Sequence, residues 1–228
     1  MARRRLRPEP GGAALPLEAP AVPRRTALIA LAVFVIVLTG IGVAIQRVVY
    51  ASPGGNVTSC ATAPQISPHR YAEAQPMCID PSRHYTATIV TTRGNLSVNL
   101  DAKAAPQTVN NFVVLAVNHY YDGLKFWRIQ DWIDQTGDPY GGGTWTPGYY
   151  LPQEGPIDAN WNTGDLGMAR PDNGFVNGAQ FFILKLSWPS PGPKAVYNKF
   201  GSVASASDPT LQALDATDRI IDIQVKVT

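Results

Sequence analysis

Cysteine and histidine, which often serve as nucleophiles, bases and metal ligands, are scarce in this sequence. It has 228 residues but only two cysteines and three histidines. His69, His84 and His119 lie far apart, and no pair has the spacing of zinc ligands, so no metal site is expected. The motifs of serine hydrolases, zinc proteases, phosphate-binding loops and dinucleotide-binding folds are also missing. The sequence therefore supports neither acid–base nor covalent chemistry and predicts no cofactor.

Charge is also sparse, and it is unevenly distributed. Charged residues make up 16% of the chain and the net charge is +2, which indicates no polyanionic partner and therefore no nucleic acid. Six arginines and two glutamates give residues 1–25 a net charge of +4, whereas the residues from 79 onward carry −3. The basic segment thus precedes the longest apolar run, and the mildly acidic part follows it.

That apolar run covers residues 27–45, which are 19 residues without a charge. As a helix it would span about 28 Å, close to the thickness of a bilayer's hydrocarbon core. A core helix of a soluble domain would have a polar face, whereas this segment has none. Because six arginines precede it and only Arg47 follows closely, the positive-inside rule predicts a single-pass helix in the lipid of the cell membrane. The N-terminus would be cytoplasmic and the remaining chain extracytoplasmic.

A cleaved signal peptide is the alternative interpretation of the same segment. A cut after Ala51 would release a secreted protein, although the apolar run exceeds the usual length of a signal peptide. The length favours the anchor, and both interpretations put the rest of the chain outside the cell.

The composition divides the chain into four parts. Residues 1–26 are predicted to be a basic, proline-rich cytoplasmic tail, 27–45 the transmembrane helix, 46–78 an extracytoplasmic spacer, and 79–228 a compact domain. Cys60 and Cys78 both lie in the spacer, where an oxidising compartment favours a disulfide between them. Two free thiols are the alternative.

Strand patterns dominate the predicted domain. Residues 85–92 and 96–100 alternate around a turn and predict a hairpin, and 106–119 predict a helix that begins at Pro106. Further strands are expected near 125–135, 164–169, 179–186, 198–204 and 219–227. Many short strands with few helices predict an antiparallel barrel or sandwich.

Three groups of motifs follow one another along the chain. The first comprises A-P-Q-T-V-N-N-F from Ala105 and Y-D-G-L-K-F-W-R-I from Tyr121. The second comprises Q-T-G-D-P from Gln135 with the glycines 141–143, and the third G-D-L-G-M-A from Gly164 and N-G-A-Q-F-F-I from Asn177. In this order they resemble the cyclophilin family of peptidyl-prolyl isomerases, and the resemblance covers about residues 83–227. It implies a mainly β fold, an eight-stranded antiparallel barrel capped by two helices, with residues 209–215 as the candidate for the second helix.

The resemblance also implies a set of site residues. Arg128 and Gln135 match catalytic positions of the family. The positions that match its substrate-binding groove are Trp132, Ile133, Ala169, Arg170, Gln180, Phe182 and Tyr197. The expected partners are proline-containing polypeptides, bound by a monomeric domain. An isomerase of this kind forms and breaks no covalent bond, so the missing acid–base and metal motifs agree with this function.

The sequence departs from the family pattern beside these positions. Trp127 replaces a usual histidine, the segment from Ile129 to Trp132 is one residue shorter, and the loop 170–178 is one residue longer. Trp188 is only a candidate for the tryptophan often found at the groove rim. Two hypotheses follow: an active isomerase that assists the folding of exported proteins, or a catalytically weak module that binds proline-containing segments of envelope proteins.

Overall fold

The computed structural model describes residues 54–155, 160–171, 174–188 and 196–228. The predicted tail 1–26, the apolar segment 27–45 and the first residues of the predicted spacer lie outside the described residues. Within the described ranges, no helix has the length and hydropathy needed to cross a bilayer.

The described residues form twelve strands and two helices. The helices are α1 (Pro106–Val117) and α2 (Pro209–Ala213). The strands are β1 (Gln65–Ser67), β2 (Arg70–Tyr71), β3 (Tyr85–Thr91), β4 (Asn95–Leu100), β5 (Arg128–Gln130), β6 (Ile133–Thr136), β7 (Tyr150–Leu151), β8 (Asp165–Met168), β9 (Val176–Asn177), β10 (Phe181–Leu184), β11 (Lys199–Val203) and β12 (Ile220–Val227).

Eight of the strands form one curled antiparallel sheet in the order β12-β3-β4-β11-β8-β10-β6-β5. A bridge between Lys125 and Arg219 links the segments next to its two edge strands. The resemblance implied an eight-stranded antiparallel barrel with two helices, and the structure has a curled, half-barrel sheet of eight antiparallel strands with two helices. The second helix lies within the predicted range 209–215. Two short ribbons, β1–β2 and β7–β9, complete the described strands.

The core lies between the sheet and α1. Alternation along β3 buries Tyr85, Ala87 and Ile89, and the apolar face of α1 packs inward from Val109 to Ala116. Phe112 of α1 lies 5.5 Å, centroid to centroid, from Phe181 of β10. Pro106 begins the helix, where its missing N–H costs no intrahelical hydrogen bond.

The single strand predicted over residues 125–135 is instead two strands. Strands β5 and β6 form a hairpin, and residues 131–132 make its turn. The prediction was wrong because the turn at Asp131 and Trp132 contains no glycine or proline, and tryptophan is typical of a strand, so the sequence does not mark the reversal. The hairpin puts Arg128 directly opposite Gln135.

Residues 54–79, hereafter the N-terminal arm, pack on the sheet and on α1. Ala63, Tyr71 and Ile79 are buried in the main core, and Val57 N–H donates to Val225 O of β12 over 2.9 Å. Cys60 and Cys78 are joined by a disulfide. The folded region therefore begins well before Ile79, and most of the predicted spacer belongs to it. Prolines and glycines suggested a spacer, whereas the arm is held by a few buried side chains and a covalent link that composition does not reveal.

Candidate active site

A cavity of about 410 Å³ on the outer face of β5, β6, β8 and β10 brings the predicted site residues together. Every residue predicted to be catalytic or substrate-binding lines it. They are Arg128, Trp132, Ile133, Gln135, Ala169, Arg170, Gln180, Phe182 and Tyr197. The walls are completed by Trp127, Gly142, Gly143, Thr144, Pro171 and Trp188.

The sheet register places the central residues of this cavity in one cross-strand row. Arg128 on β5 pairs with Gln135 on β6, and Gln135 pairs with Phe182 on β10. Phe182 in turn pairs with Gly167 on β8. Residues directly opposite each other in antiparallel strands point to the same face, so the row presents a guanidinium, an amide and an aromatic ring side by side.

Arg128 is held by polar and aromatic contacts. Its Nη1 donates to Gln135 Oε1 over 3.2 Å and its Nη2 donates to Gln130 Oε1 over 2.9 Å. The guanidinium carbon also lies 5.7 Å from the centroid of the Trp132 ring, a cation–π distance. A guanidinium carries five N–H donors, so these two hydrogen bonds fix the fork and leave donors for a ligand.

Two glutamine amides connect Arg128 to the far wall of the cavity. Gln135 Nε2 donates to Gln180 Oε1 over 3.1 Å, and Gln180 Nε2 donates to the carbonyl oxygens of Gly143 and Trp145 over 3.1 and 2.7 Å. Carbonyls only accept, so Gln180 must turn its Nε2 toward them and its Oε1 toward Gln135. Gln135 must then present its own oxygen to Arg128. The hydrogen bonds thus allow one orientation of both amides.

The apolar part of the cavity is an aromatic cluster, which consists of Trp132, Trp161, Phe182, Trp188 and Tyr197. Phe182 lies at its centre, with ring centroids of Trp161 at 5.6 Å and Tyr197 at 5.4 Å. Trp132 and Trp188 meet edge to face at 5.1 Å. Such a cluster can surround a small saturated ring and exclude water from it.

Gly167 makes room for the floor of the cluster. A Cβ atom at this position would lie 2.3 Å from Phe182 Cζ and 2.7 Å from Trp161 Cη2. Any larger residue would therefore displace one of the two rings. Gly167 lies in the G-D-L-G-M-A motif but was not predicted to be a site residue. Trp161 was not predicted either, because the loop that carries it has no periodic pattern.

Ala169 and Arg170 lie at the edge of the cavity. Ala169 N–H donates to Gln180 O over 2.9 Å and Ala169 O accepts from Asn177 N–H over 2.8 Å, so Ala169 can offer a ligand its methyl group and the second lone pair of its carbonyl but not its N–H. The guanidinium of Arg170 donates to the carbonyl oxygens of Val196 and Gly174. It therefore ties together two loops beside the cavity.

Burial distinguishes this network from surface contacts. Gln135 is 6% exposed and Gln180 only 1% exposed, whereas Arg128 is half-buried. A buried amide that lost its partners would cost about 1–3 kcal/mol, so the two amides are held firmly in place. The site can therefore present fixed hydrogen-bond donors next to an apolar pocket.

Comparison with known families and proteins agrees with this geometry. Residues 86–224 match the family model described as cyclophilin type peptidyl-prolyl cis-trans isomerase/CLD. A peptidyl-prolyl cis-trans isomerase of Helicobacter pylori is 38% identical over 124 residues, which are 53% of this chain and 76% of the relative. One from Synechococcus elongatus is 35% identical over 142 residues, 61% of this chain and 94% of the relative.

Solved structures show the same fold. A cyclophilin type peptidyl-prolyl cis-trans isomerase from Cryptosporidium parvum superposes with a TM-score of 0.53 at 28% identity. The superposition covers 62% of this chain and 97% of that protein. The same protein, solved in the presence of the dipeptide Ala-Pro, gives a TM-score of 0.51.

Proposed function

The chain belongs to the cyclophilin-type peptidyl-prolyl cis-trans isomerase family, and we propose that it isomerises Xaa-Pro bonds in the cavity that contains Arg128, Gln135 and Phe182. The observation that carries this assignment is the cross-strand row, which sets a guanidinium donor beside an aromatic pocket. A related protein was solved in the presence of Ala-Pro, which supports a proline-containing ligand for this chain.

The reaction needs what this cavity offers. Rotation about a peptide bond has a barrier of about 18–20 kcal/mol, because the C–N bond is partly double. In an Xaa-Pro bond the two isomers are close in energy but interconvert slowly. A catalyst must stabilise the twisted amide, in which conjugation is lost and charge separation falls. No proton transfer, nucleophile or metal is required.

The aromatic cluster and Arg128 would share this task. Phe182 and its neighbours would bind the pyrrolidine ring and remove water from the amide, which disfavours its charge-separated planar form. The N–H groups of Arg128 would then donate to the prolyl nitrogen as it becomes pyramidal, or to the neighbouring carbonyl. Gln135 and Gln180 would hold the guanidinium in place, so that little reorganisation accompanies rotation.

Substitution of Arg128 tests the assignment. The full-length chain in detergent micelles should accelerate isomerisation of an Xaa-Pro test peptide, and Arg128→Ala should lower kcat/KM about a hundredfold, as loss of a preorganised donor does. Arg128→Lys should fall between the two, because it keeps the charge without the fork. Arg219→Ala, at an exposed arginine, is the matched control. A wild-type rate at background, with peptide binding intact, would favour the binding module instead.

We also propose that this isomerase acts on exported proteins from an anchor in the cell membrane. The support is the uncharged run 27–45 with arginines on one side, together with the Cys60–Cys78 disulfide, which is typical of oxidising compartments. The proline-containing substrates would then be chains that fold after export.

The intact mass of the mature protein decides between the anchor and the cleaved signal peptide. A mass that includes residues 1–51, with removal of the domain by protease added to intact cells, is expected for the anchor. A mass that corresponds to a chain starting after Ala51, or a domain protected from the protease, would contradict this part of the proposal. Neither result would affect the proposed chemistry of the cavity.

A further inference from the structure

The N-terminal arm is fixed to helix α1 at two points near its disulfide. Asn110 Oδ1 accepts from the backbone N–H groups of Cys78 and Ile79 over 2.7 and 3.2 Å. Asn118 Nδ2 donates to Cys60 O over 3.0 Å. Closing a loop of this size with a disulfide contributes about 3 kcal/mol of stability in the chain-entropy account. The arm is therefore a fixed part of the domain.

From there the arm reaches residues 137–149, hereafter the groove-wall loop, which supplies Gly142, Gly143 and Thr144 to the cavity. Tyr71 N–H donates to Pro147 O over 2.7 Å, and the Arg70 guanidinium lies 5.9 Å from the Trp145 ring centroid. The backbones approach so closely that a Cβ on Gly148 would lie 2.3 Å from Tyr71 O. The arm thus supports the outer side of a loop whose inner side lines the groove.

A chain of hydrogen bonds runs inward from the arm. Gln75 accepts from Ala63 N–H and donates through Nε2 to the Tyr149 hydroxyl over 3.2 Å. That hydroxyl donates to Asn111 Oδ1 over 2.6 Å, and Asn111 Nδ2 donates to Gly178 O over 2.7 Å. Gln75, Tyr149 and Asn111 are all at least nine-tenths buried. Burial also raises the pKa of Tyr149, although the Gln75 hydrogen bond acts against this, so the hydroxyl keeps its proton.

These hydrogen bonds end at Gly178 O, in the segment that leads to Gln180. Gly178 lies two residues before Gln180, and Asn177 Oδ1 accepts from the N–H of Gln180 over 3.0 Å. Trp145 O, in the groove-wall loop, accepts both Gln180 Nε2 and Asn177 Nδ2. Tyr149 therefore connects the groove-wall loop, through Asn111, to the segment 177–178, and both of these segments hold Gln180. Gln180 in turn orients Gln135 toward Arg128.

We propose that Gln75 and Tyr149 are positioning residues for the isomerase site, through which the N-terminal arm fixes the groove-wall loop and the orientation of Gln180. This inference rests on the proposed function and adds a segment that lies outside the residues 86–224 matched by the family model. Neither residue lines the cavity. Their effect on a substrate would pass through the buried amides.

The test compares matched hydroxyl removals in the full-length chain in detergent micelles. Tyr149→Phe removes the hydroxyl that joins Gln75 to Asn111, and Gln75→Met keeps the volume but removes both hydrogen bonds. Tyr85→Phe is the control, because Tyr85 is also a buried residue and its hydroxyl accepts from Asp80 N–H over 3.0 Å beyond the end of the arm. Two quantities are measured: kcat/KM for an Xaa-Pro peptide, and the side-chain amide NMR signals of Gln135 and Gln180.

Tyr149→Phe and Gln75→Met should each lower kcat/KM about fivefold, the equivalent of one buried hydrogen bond, and shift both glutamine signals. Tyr85→Phe should change neither, although all three should lower the unfolding temperature. If Tyr149→Phe and Tyr85→Phe have equal effects, or if the amide signals stay in place, the inference is overturned. If the wild-type chain does not isomerise the peptide, the proposed function fails, and the amide signals still decide whether the arm positions Gln180.

Discussion

The two faces of β6 and β10 have different roles, although alternating residues of the same two short strands form them. On the inner face, Phe181 and Ile183 belong to the main core and are fully buried. On the outer face, Phe182 and Leu184 belong to the aromatic cluster region beside the cavity. Alternation of the side chains along a strand separates the residues that hold the fold from those that line the site.

Two neighbouring buried polar side chains of β6, Asp134 on the inner face and Gln135 on the outer face, have different partners. Asp134, on the inner face opposite Ile183, lies 3.2 Å from Lys185 Nζ. Gln135, on the outer face opposite Phe182, joins Arg128 to Gln180. Asp134 and Lys185 form an ion pair inside the fold. Gln135 belongs instead to a hydrogen-bond network that lines the cavity. The comparison therefore predicts that inner changes alter stability and outer changes alter catalysis.

The largest expected effect is on the inner face. Ile183→Ala should lower the free energy of unfolding by about 2–5 kcal/mol, because it removes buried methyl groups and leaves a cavity. The kcat/KM of the molecules that remain folded should stay within about twofold of wild type. Urea unfolding and a peptide assay measure both. Ile221→Ala is the matched control at a 53% exposed position and should cost less than about 0.5 kcal/mol.

The next largest effect concerns Asp134, the buried carboxyl group on the otherwise mainly apolar inner face. Burial raises the pKa of Asp134 to about 6, although Lys185 opposes the shift. The folded chain thus binds this proton more tightly than the unfolded chain, and its stability should fall as pH rises from about 4 to above 6. Asp134→Asn removes that titration. The difference in unfolding free energy, variant minus wild type, should therefore rise by about 2 kcal/mol over that range and then level off.

Unfolding curves at closely spaced pH values measure this difference. Asp131→Asn, at the exposed turn of the same hairpin, controls for the loss of one negative charge. A flat difference for Asp134→Asn between pH 4 and 7 would show that the inner carboxylate is not perturbed as described.

The smallest of the three effects is expected on the outer face. It should change kcat/KM, that is, the activation free energy of isomerisation. Gln135→Leu keeps the volume but breaks the connection between Arg128 and Gln180, and kcat/KM should fall about tenfold, or about 1.4 kcal/mol. Gln224→Leu, on the exposed side of β12, is the matched control and should leave kcat/KM unchanged. Full activity of the Gln135→Leu variant would contradict the claim that the two glutamine amides position Arg128 for catalysis.

Much of the fold was accessible from the sequence because the relevant patterns are local. The hairpin β3–β4 and helix α1 follow from alternation, a turn and an N-terminal proline, and Phe181 and Phe182 could be expected on opposite faces. The site residues were found through ordered motifs, since Arg128 or Gln135 alone would look like a surface side chain. Their pairing depends on the β5–β6 turn, which contains no glycine or proline and was therefore not predicted.

The features that sequence reasoning missed depend on contacts between distant segments. Gly167 matters only because Trp161 and Phe182 converge above it. Gln75 lies in a proline-rich stretch that suggests a spacer, and its burial depends on Tyr149, 74 residues away. Local propensity carries no information about contacts between distant segments, so only the structure shows that the arm belongs to the domain.

The neighbouring phenylalanines of β10 provide the most direct test of the central claim that the outer face is the isomerase site. Phe181→Leu and Phe182→Leu are the same substitution on adjacent, buried residues that point in opposite directions. Unfolding free energy and kcat/KM for an Xaa-Pro peptide should be measured on the same preparations. Both variants should lose stability, and only Phe182→Leu should lose kcat/KM, by about tenfold or more. Equal losses of kcat/KM in the two variants, or a larger loss for Phe181→Leu, would contradict the account.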